Sequence, residues 1–283
     1  MTTESTPPIL VDQELSRRLE STEGRCSASL VDGRKQLYPN GQATWTEIGG
    51  AVALFDGTES PITQTFCLGM EKAPSVAEME ELEEFFTSRR ADVFHEVSPL
   101  AAEETLHRLN ERGYRPIEFT SVMARRVAPD IELGAEATGA ITVREVSPDD
   151  AETWAETAAK GWSEFGDFGA LMLDVARINA VREDAVMLLA ELDDAPIAAA
   201  AFDVMDGVAL LAGASTIPEA RRRGAQLAML ERRLQLGAER GCDLAMMGAR
   251  PGSSSQKNAE RHGFRICYTR VKWKMGRRAE PIF

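Results

Sequence analysis

The stretch Val208-Ala209-Leu210-Leu211-Ala212-Gly213-Ala214-Ser215-Thr216-Ile217-Pro218-Glu219-Ala220-Arg221-Arg222-Arg223-Gly224-Ala225-Gln226 decides the reading of this chain. Val208 to Ser215 is apolar or small and reads as a strand, which Pro218 ends. Beyond the arginines, Leu227, Leu230, Leu234 and Ala238 recur at the spacing of one buried helix face. An arginine-rich loop with a glycine therefore carries the chain from a strand into a helix N-terminus. There the first backbone N–H groups have no intrahelical partner and the dipole is positive. A phosphate can approach the backbone at Gly224, which has no side chain in the way. Arginine adds bidentate contacts, each worth about 1.5–3 kcal/mol as a charged hydrogen bond. The alternative is a solvated arginine run. Three cations at the positive end of a helix dipole are unfavourable by a few tenths of a kcal/mol or more, and a bound polyanion would offset that.

Outward from this turn, the second half reads as a strand from Ile141, helical patterns over Asp149–Gly161 and Gly169–Val181, and strands over Ala185–Glu191, Ile197–Asp203 and Val208–Ser215. Turns at Asp193-Asp194-Ala195-Pro196 and Met205-Asp206-Gly207 separate those strands. Then come a helix over Gly224–Arg240, a strand over Asp243–Met247, a helix over Ser254–Arg261 and a strand over Phe264–Lys274. The first half repeats that last order: helix Glu78–Arg90, strand Asp92–Val97, helix Ala101–Glu111, strand Tyr114–Arg126. Pro99 and Pro251 precede the matching helices, which end in Glu111-Arg112-Gly113-Tyr114-Arg115 and Glu260-Arg261-His262-Gly263-Phe264-Arg265. A glycine stands in each where a helix needs a left-handed terminating residue. The period of about 150 residues is a domain length rather than a solenoid repeat. Duplication of one α/β unit follows, with each half a mixed sheet flanked by helices. Residues 128–140, rich in Ala, Gly and Glu, read as the linker, so the expected domains are 1–135 and 136–283.

Arg221-x-x-Gly224-x-Gln226 resembles the acyl-CoA loop of the GNAT N-acetyltransferases, usually written Q/R-x-x-G-x-G/A, with Thr216-x-Pro218 where that family often has Val-x-Pro. Ser255-Gln256-Lys257-Asn258-Ala259-Glu260-Arg261-His262-Gly263-Phe264 is similar to the family's second signature, an Asn-bearing helix ending in Gly-Phe. The resemblance covers about residues 141 to 275 and implies tandem GNAT-like folds, each a mixed, mostly antiparallel sheet. It further implies acetyl-CoA or a close relative as donor, with pyrophosphate on the amides of Arg222, Arg223, Gly224, Ala225 and Gln226 beside Arg221. The pantetheine chain would pair with Ala214, Ser215 and Thr216, and Asn258 with Arg261 would reach the donor from the second helix. Two positions depart from the pattern. Gln226 replaces a small residue, and Ala259 stands where many members carry the tyrosine that protonates the leaving thiolate; Tyr268, on the next strand, is the candidate substitute. In the first half the strand candidate Thr63–Met70 leads into Glu71-Lys72-Ala73-Pro74-Ser75 without an arginine-glycine loop. That half reads as a degenerate GNAT-like unit with no cofactor loop; equally, Pro61–Met70 with Cys67 is simple core.

GNAT members usually build the acceptor pocket between the first two helices, here Gly161-Trp162-Ser163-Glu164-Phe165-Gly166-Asp167-Phe168. Its aromatics could line an acceptor site and Glu164 or Asp167 could attract or deprotonate an amine; equally, the aromatics are core and the carboxylates solvated. The expected reaction is attack of a primary amine, on a small molecule or peptide, on the acetyl-CoA thioester. The rival readings are a non-catalytic acyl-CoA sensor or scaffold, and an interaction protein whose arginine loop binds nothing.

Composition narrows the classes. Hydrophobic residues make up 43% and charged residues 27% of the 283, ample for a folded core. The net charge of −13 argues against nucleic-acid binding and favours cationic substrates such as amines. Four scattered cysteines and three separated histidines make no metal-site spacing. With no long apolar run and no signal-peptide pattern at Met1–Pro8, the expected protein is cytoplasmic, off the membrane, and compatible with a homodimer.

Overall fold

A computed structural model describes residues 9–128, 141–165, 168–182 and 184–276. The expected linker lies outside them apart from Ala128, as do Gly166 and Asp167. The helices are α1 (Gln13–Leu37), α2 (Val76–Thr87), α3 (Glu103–Glu111), α4 (Ala151–Lys160), α5 (Phe168–Ala180), α6 (Ala225–Glu239) and α7 (Ser254–Arg261). The strands are β1 (Thr44–Ile48), β2 (Ala51–Phe55), β3 (Gln64–Phe66), β4 (Phe94–Val97), β5 (Tyr114–Arg126) and β6 (Ile141–Glu145). They continue with β7 (Ala185–Leu192), β8 (Ala195–Met205), β9 (Val208–Thr216), β10 (Leu244–Ala249) and β11 (Arg265–Met275). Among the described residues no helix is long and apolar enough to cross a membrane.

The chain divides into two compact units. The first gathers residues 9–35, 40–125 and 248–276; the second holds 36–39 and the described residues from 126 to 247. This differs from the expected linear split at 135/136. The C-terminal β11 pairs antiparallel on both edges, with β4 through Val271↔Val97 and with β5 through Arg270↔Thr120, so it belongs to the first unit together with α7. A strand buried between two partners satisfies both rows of its backbone groups.

In the first unit the strands run β1-β2-β3-β4-β11-β5, antiparallel except for β3 beside β4. Gly49 and Gly50, at φ 58° and 82°, close the β1–β2 hairpin in the two-residue turn that favours glycine. One sheet face packs Val52, Leu54 and Phe66 against Ala28 and Val31 of α1. The other packs Ala53, Val93 and Val97 with Met79, Leu82 and Phe86 of α2 and Leu109 of α3. Helix α1 escaped the sequence analysis because its inner face carries Ser16, Glu20 and Gly24 among its buried residues, which blurs the apolar period. The expected strand Thr63–Met70 shrinks to β3, since Cys67 and Gly69 turn to φ 63° and 78°.

In the second unit the order is β10-β9-β8-β7-β6, antiparallel except for β9 beside β10. The β7–β8 and β8–β9 hairpins turn on Asp193-Asp194 and Asp206-Gly207, all at positive φ. Trp154, Ala155 and Ala158 of α4 pack on Leu189, Ala199 and Ala201. Ala209, on the opposite face by alternation, meets Gly237 of α6. Each unit is thus a mixed, mostly antiparallel sheet flanked by helices, as expected.

Candidate anion site at the β9–α6 turn

Two features of β9 prepare its C-terminal end. Between the pairs Ala201↔Ala212 and Ala199↔Ser215 the register shifts, and Gly213 sits at φ 62°, so β9 bulges there. On its other edge the parallel pairing with β10 runs only through Val208, Ala209 and Leu210. From Leu211 onward that edge of β9 is not paired with β10 among the described residues, and Ala212 and Gly213 are exposed. A bare strand edge can take main-chain hydrogen bonds from an extended ligand. Ser215 and Thr216 are buried, 5% and 7% exposed, so the open part of this edge is at Ala212 and Gly213. Ser215 Oγ donates to the Ala158 carbonyl at 2.9 Å. A Cβ on Gly161, at the end of α4, would stand 2.4 Å from Ser215 Cβ. Only glycine lets α4 end against β9 in this way, a role that sequence reasoning did not find.

The turn itself passes through a short 3-10 turn, Pro218–Ala220, to Arg221. Arg222 and Gly224 are both left-handed, at φ 63° and 92°, on either side of Arg223. For arginine that backbone is uncommon, and turns of this kind gather N–H groups into an anion-binding concavity. Gly224 is the N-cap of α6 and no side chain caps the helix. The Gly224 carbonyl accepts from Leu227 and Ala228 at 3.0 Å, which leaves the earlier amides of the turn to a ligand or solvent. Arg221, Arg222, Arg223, Gly224 and Gln226 are exposed, whereas Ala225 is buried. Gln226, the departure from the small-residue pattern, has a structural use: its Nε2 donates to Thr216 Oγ1 at 2.7 Å. That bond ties the first turn of α6 to the end of β9.

Arg221 forms an ion pair with Glu164, and its Nη2 lies 3.3 Å from the Gly161 carbonyl. Both side chains are substantially exposed, so the pair is worth little by itself. It does bring Glu164, a candidate of the sequence analysis, onto this turn.

The other candidates lie in the first unit. On α7, Asn258 is half-buried and its carbonyl accepts from His262, while Arg261 is exposed. Ala259, 1% exposed, fills core space where the resemblance implies a tyrosine. Tyr268 is 6% exposed and its hydroxyl donates to Glu20 Oε1 at 2.8 Å. Burial, and next the Glu20 charge, push its phenol well above the usual range. Burial also raises the Glu20 carboxyl from 4.5 to about 7, against the pull of Arg270. Arg270 in turn holds Glu23 at 2.8 Å and Glu96 at 3.1 Å. Tyr268 therefore belongs to a buried charge cluster joining α1, β4 and β11.

Comparison with known proteins agrees with the architecture. No family model and no curated protein matches the sequence. Among solved structures, a GCN5-related N-acetyltransferase from Kribbella flavida superposes with a TM-score of 0.59 at 20% identity, over 89% of this chain and 95% of that one. A tandem GNAT protein from the clavulanic acid biosynthesis pathway gives 0.56 at 14% identity, over 82% and 80%. A GCN5-related N-acetyltransferase from Sphaerobacter thermophilus gives 0.51 at 17%, over 79% of each. The fold is that of the GCN5-related N-acetyltransferases, in tandem. At these identities the likeness speaks for the fold alone.

Proposed function

We propose that the protein is an N-acetyltransferase whose β9–α6 turn holds the pyrophosphate of acetyl-CoA. The observation that carries this reading is the N-terminus of α6: glycine-started, without a side-chain cap, and accompanied by three exposed arginines. The bare edge of β9 beyond Leu210 adds main-chain groups for an extended pantetheine arm. The acceptor is a primary amine of a small molecule or peptide. Its neutral nitrogen attacks the thioester carbonyl carbon, the C–S bond breaks, and the proton lost by the nitrogen passes through water to the leaving thiolate. Backbone N–H groups at the β9 bulge are suited to the developing oxyanion. Glu164, held on the turn by Arg221, would attract the ammonium form of the acceptor.

Calorimetric titration of acetyl-CoA into the wild type and the Arg223→Glu, Gly224→Asp variant tests the reading. Wild-type binding lost in a folded variant supports it; a folded wild type that binds no acetyl-CoA overturns it. A second reading, an acyl-CoA sensor without turnover, is favoured by one observation: Tyr268 is buried and its hydroxyl is committed to Glu20. Donor binding with no acetyl transfer across an amine panel would select that reading.

A further inference from the structure

The first unit carries a surface that plays no part in the donor site. Strand β1 ends the strand order of that unit, with β2 on one side and, among the described residues, no strand on the other. Its five residues, Thr44-Trp45-Thr46-Glu47-Ile48, pair with β2 in an unbroken register from Thr44↔Phe55 to Ile48↔Ala51. The free edge is therefore straight, and four of its residues are β-branched or aromatic. Natural edges are commonly blunted by bulges, proline or lysine; β1 has none of these, and its only charge is Glu47. Trp45 stays 38% exposed, with its indole N–H donated to Asp32.

Beside this edge lies a groove of about 550 Å³ between Thr44, Thr46 and Ile48 of β1 and Glu81, Glu84 and Phe85 of α2, with Ser88 just past the helix end. Glu81 and Glu84 are exposed, and neither has an ion-pair partner among the described residues. The one cation on the wall, Arg89, is turned onto Phe85, 4.3 Å from the ring centroid, and donates to the Phe85 carbonyl. An extended segment laid along β1 would meet backbone donors and acceptors on the strand and carboxylates on the helix.

We propose that β1 and α2 form a docking site for an extended cationic segment of another protein, added as a further antiparallel or parallel strand. Main-chain pairing would supply the affinity and alternate side chains, falling every second residue toward α2, the selection. Charge chooses the occupant. A second copy would bring Glu81 and Glu84 against their own equivalents, whereas lysine or arginine at the alternate positions facing α2 complements them.

The probe is a capped seven-residue peptide alternating lysine and valine, titrated calorimetrically into the full chain with hydrogen exchange followed over Thr44–Ile48. Two controls accompany it: the same peptide N-methylated at alternate amides, and a glutamate–valine peptide. Glu81→Lys with Glu84→Lys reverses the wall at exposed helix positions, and its melting temperature should match the wild type. Expected are wild-type binding with slowed exchange along β1, a loss of about tenfold or more in the double variant, and no binding of either control. Absence of wild-type binding at millimolar peptide overturns the proposal. So does equal binding of the N-methylated peptide, which would mean charge adhesion without strand addition. Self-association that protects β1 in the absence of peptide would assign the edge to a second copy and likewise overturn it.

Discussion

Two helix starts in this molecule occupy the same place in a strand–helix–strand unit and are finished in opposite ways. In the first unit, β3 leads through α2 to the parallel β4; in the second, β9 leads through α6 to the parallel β10. Helix α2 closes its own N-terminus. Ser75 accepts from the Glu78 amide at 3.2 Å, and the Glu78 carboxylate accepts from the Ser75 amide at 2.7 Å and from Lys72 at 2.8 Å. A carboxylate of the chain thus stands where the other turn offers room for an external anion. Helix α6 begins at a left-handed glycine with no side-chain cap and three arginines before it. An anion site at a helix N-terminus is lost as much by supplying an internal anion as by removing the cations.

Transplanting the closed start breaks the comparison most directly. Leu227→Glu puts the carboxylate half of the α2 capping box at the third helical position of α6, where it can accept from the Gly224 amide, and keeps the left-handed glycine in place. Acetyl-CoA affinity should fall by about a hundredfold, on the order of one charged hydrogen bond, while the variant stays folded. Unchanged affinity by calorimetry would show that the amides at this turn do not hold the donor.

The reverse change is milder. Ser75→Ala should cost about 1 kcal/mol of stability, the usual worth of such a cap, read as a lower urea midpoint. It should confer no affinity for acetyl-CoA on the first unit, because Lys72 is the only cation in the Glu71–Ser75 segment. Acquired binding there would mean that the open amides, rather than the arginines, make the site.

The smallest effect is on acid stability. The hydrogen bonds of Glu78 with Lys72 and then Ser75 lower its carboxyl from 4.5 to about 2. A carboxyl depressed on folding adds stability above its unfolded value, which is lost as the pH falls from about 4.5 toward 2. Glu78→Gln should lower the urea midpoint at neutral pH and flatten the acid part of the profile, so that variant and wild type converge as the pH falls toward 2. An equally steep acid slope in the variant would place the effect at other carboxylates.

The sequence was legible wherever local pattern and final structure agree. Helix α7 and strand β5 match the sequence expectations at both ends, because capping, glycine termination and alternation are properties of neighbouring residues. The strand-to-helix turn at Arg221–Gly224 was readable for the same reason: Gly224 is required by its left-handed backbone, and the arginines are adjacent to it. The Ser75-x-x-Glu78 cap is likewise a property of neighbouring residues, with the spacing of a capping box.

Tertiary structure alone decided the rest. The place of β11 between β4 and β5 rests on pairings across more than 140 residues, and strand pattern does not name a partner. Helix α1 was hidden because its buried face holds Glu20, whose partners Tyr268 and Arg270 come from the far end of the chain. The same contact took Tyr268 out of solvent, which its position on an alternating strand could not reveal. Gln226 looked like a defect until Thr216 stood 2.7 Å away. Periodicity reports which face of an element is apolar; which distant polar groups meet on it is decided only when the elements pack.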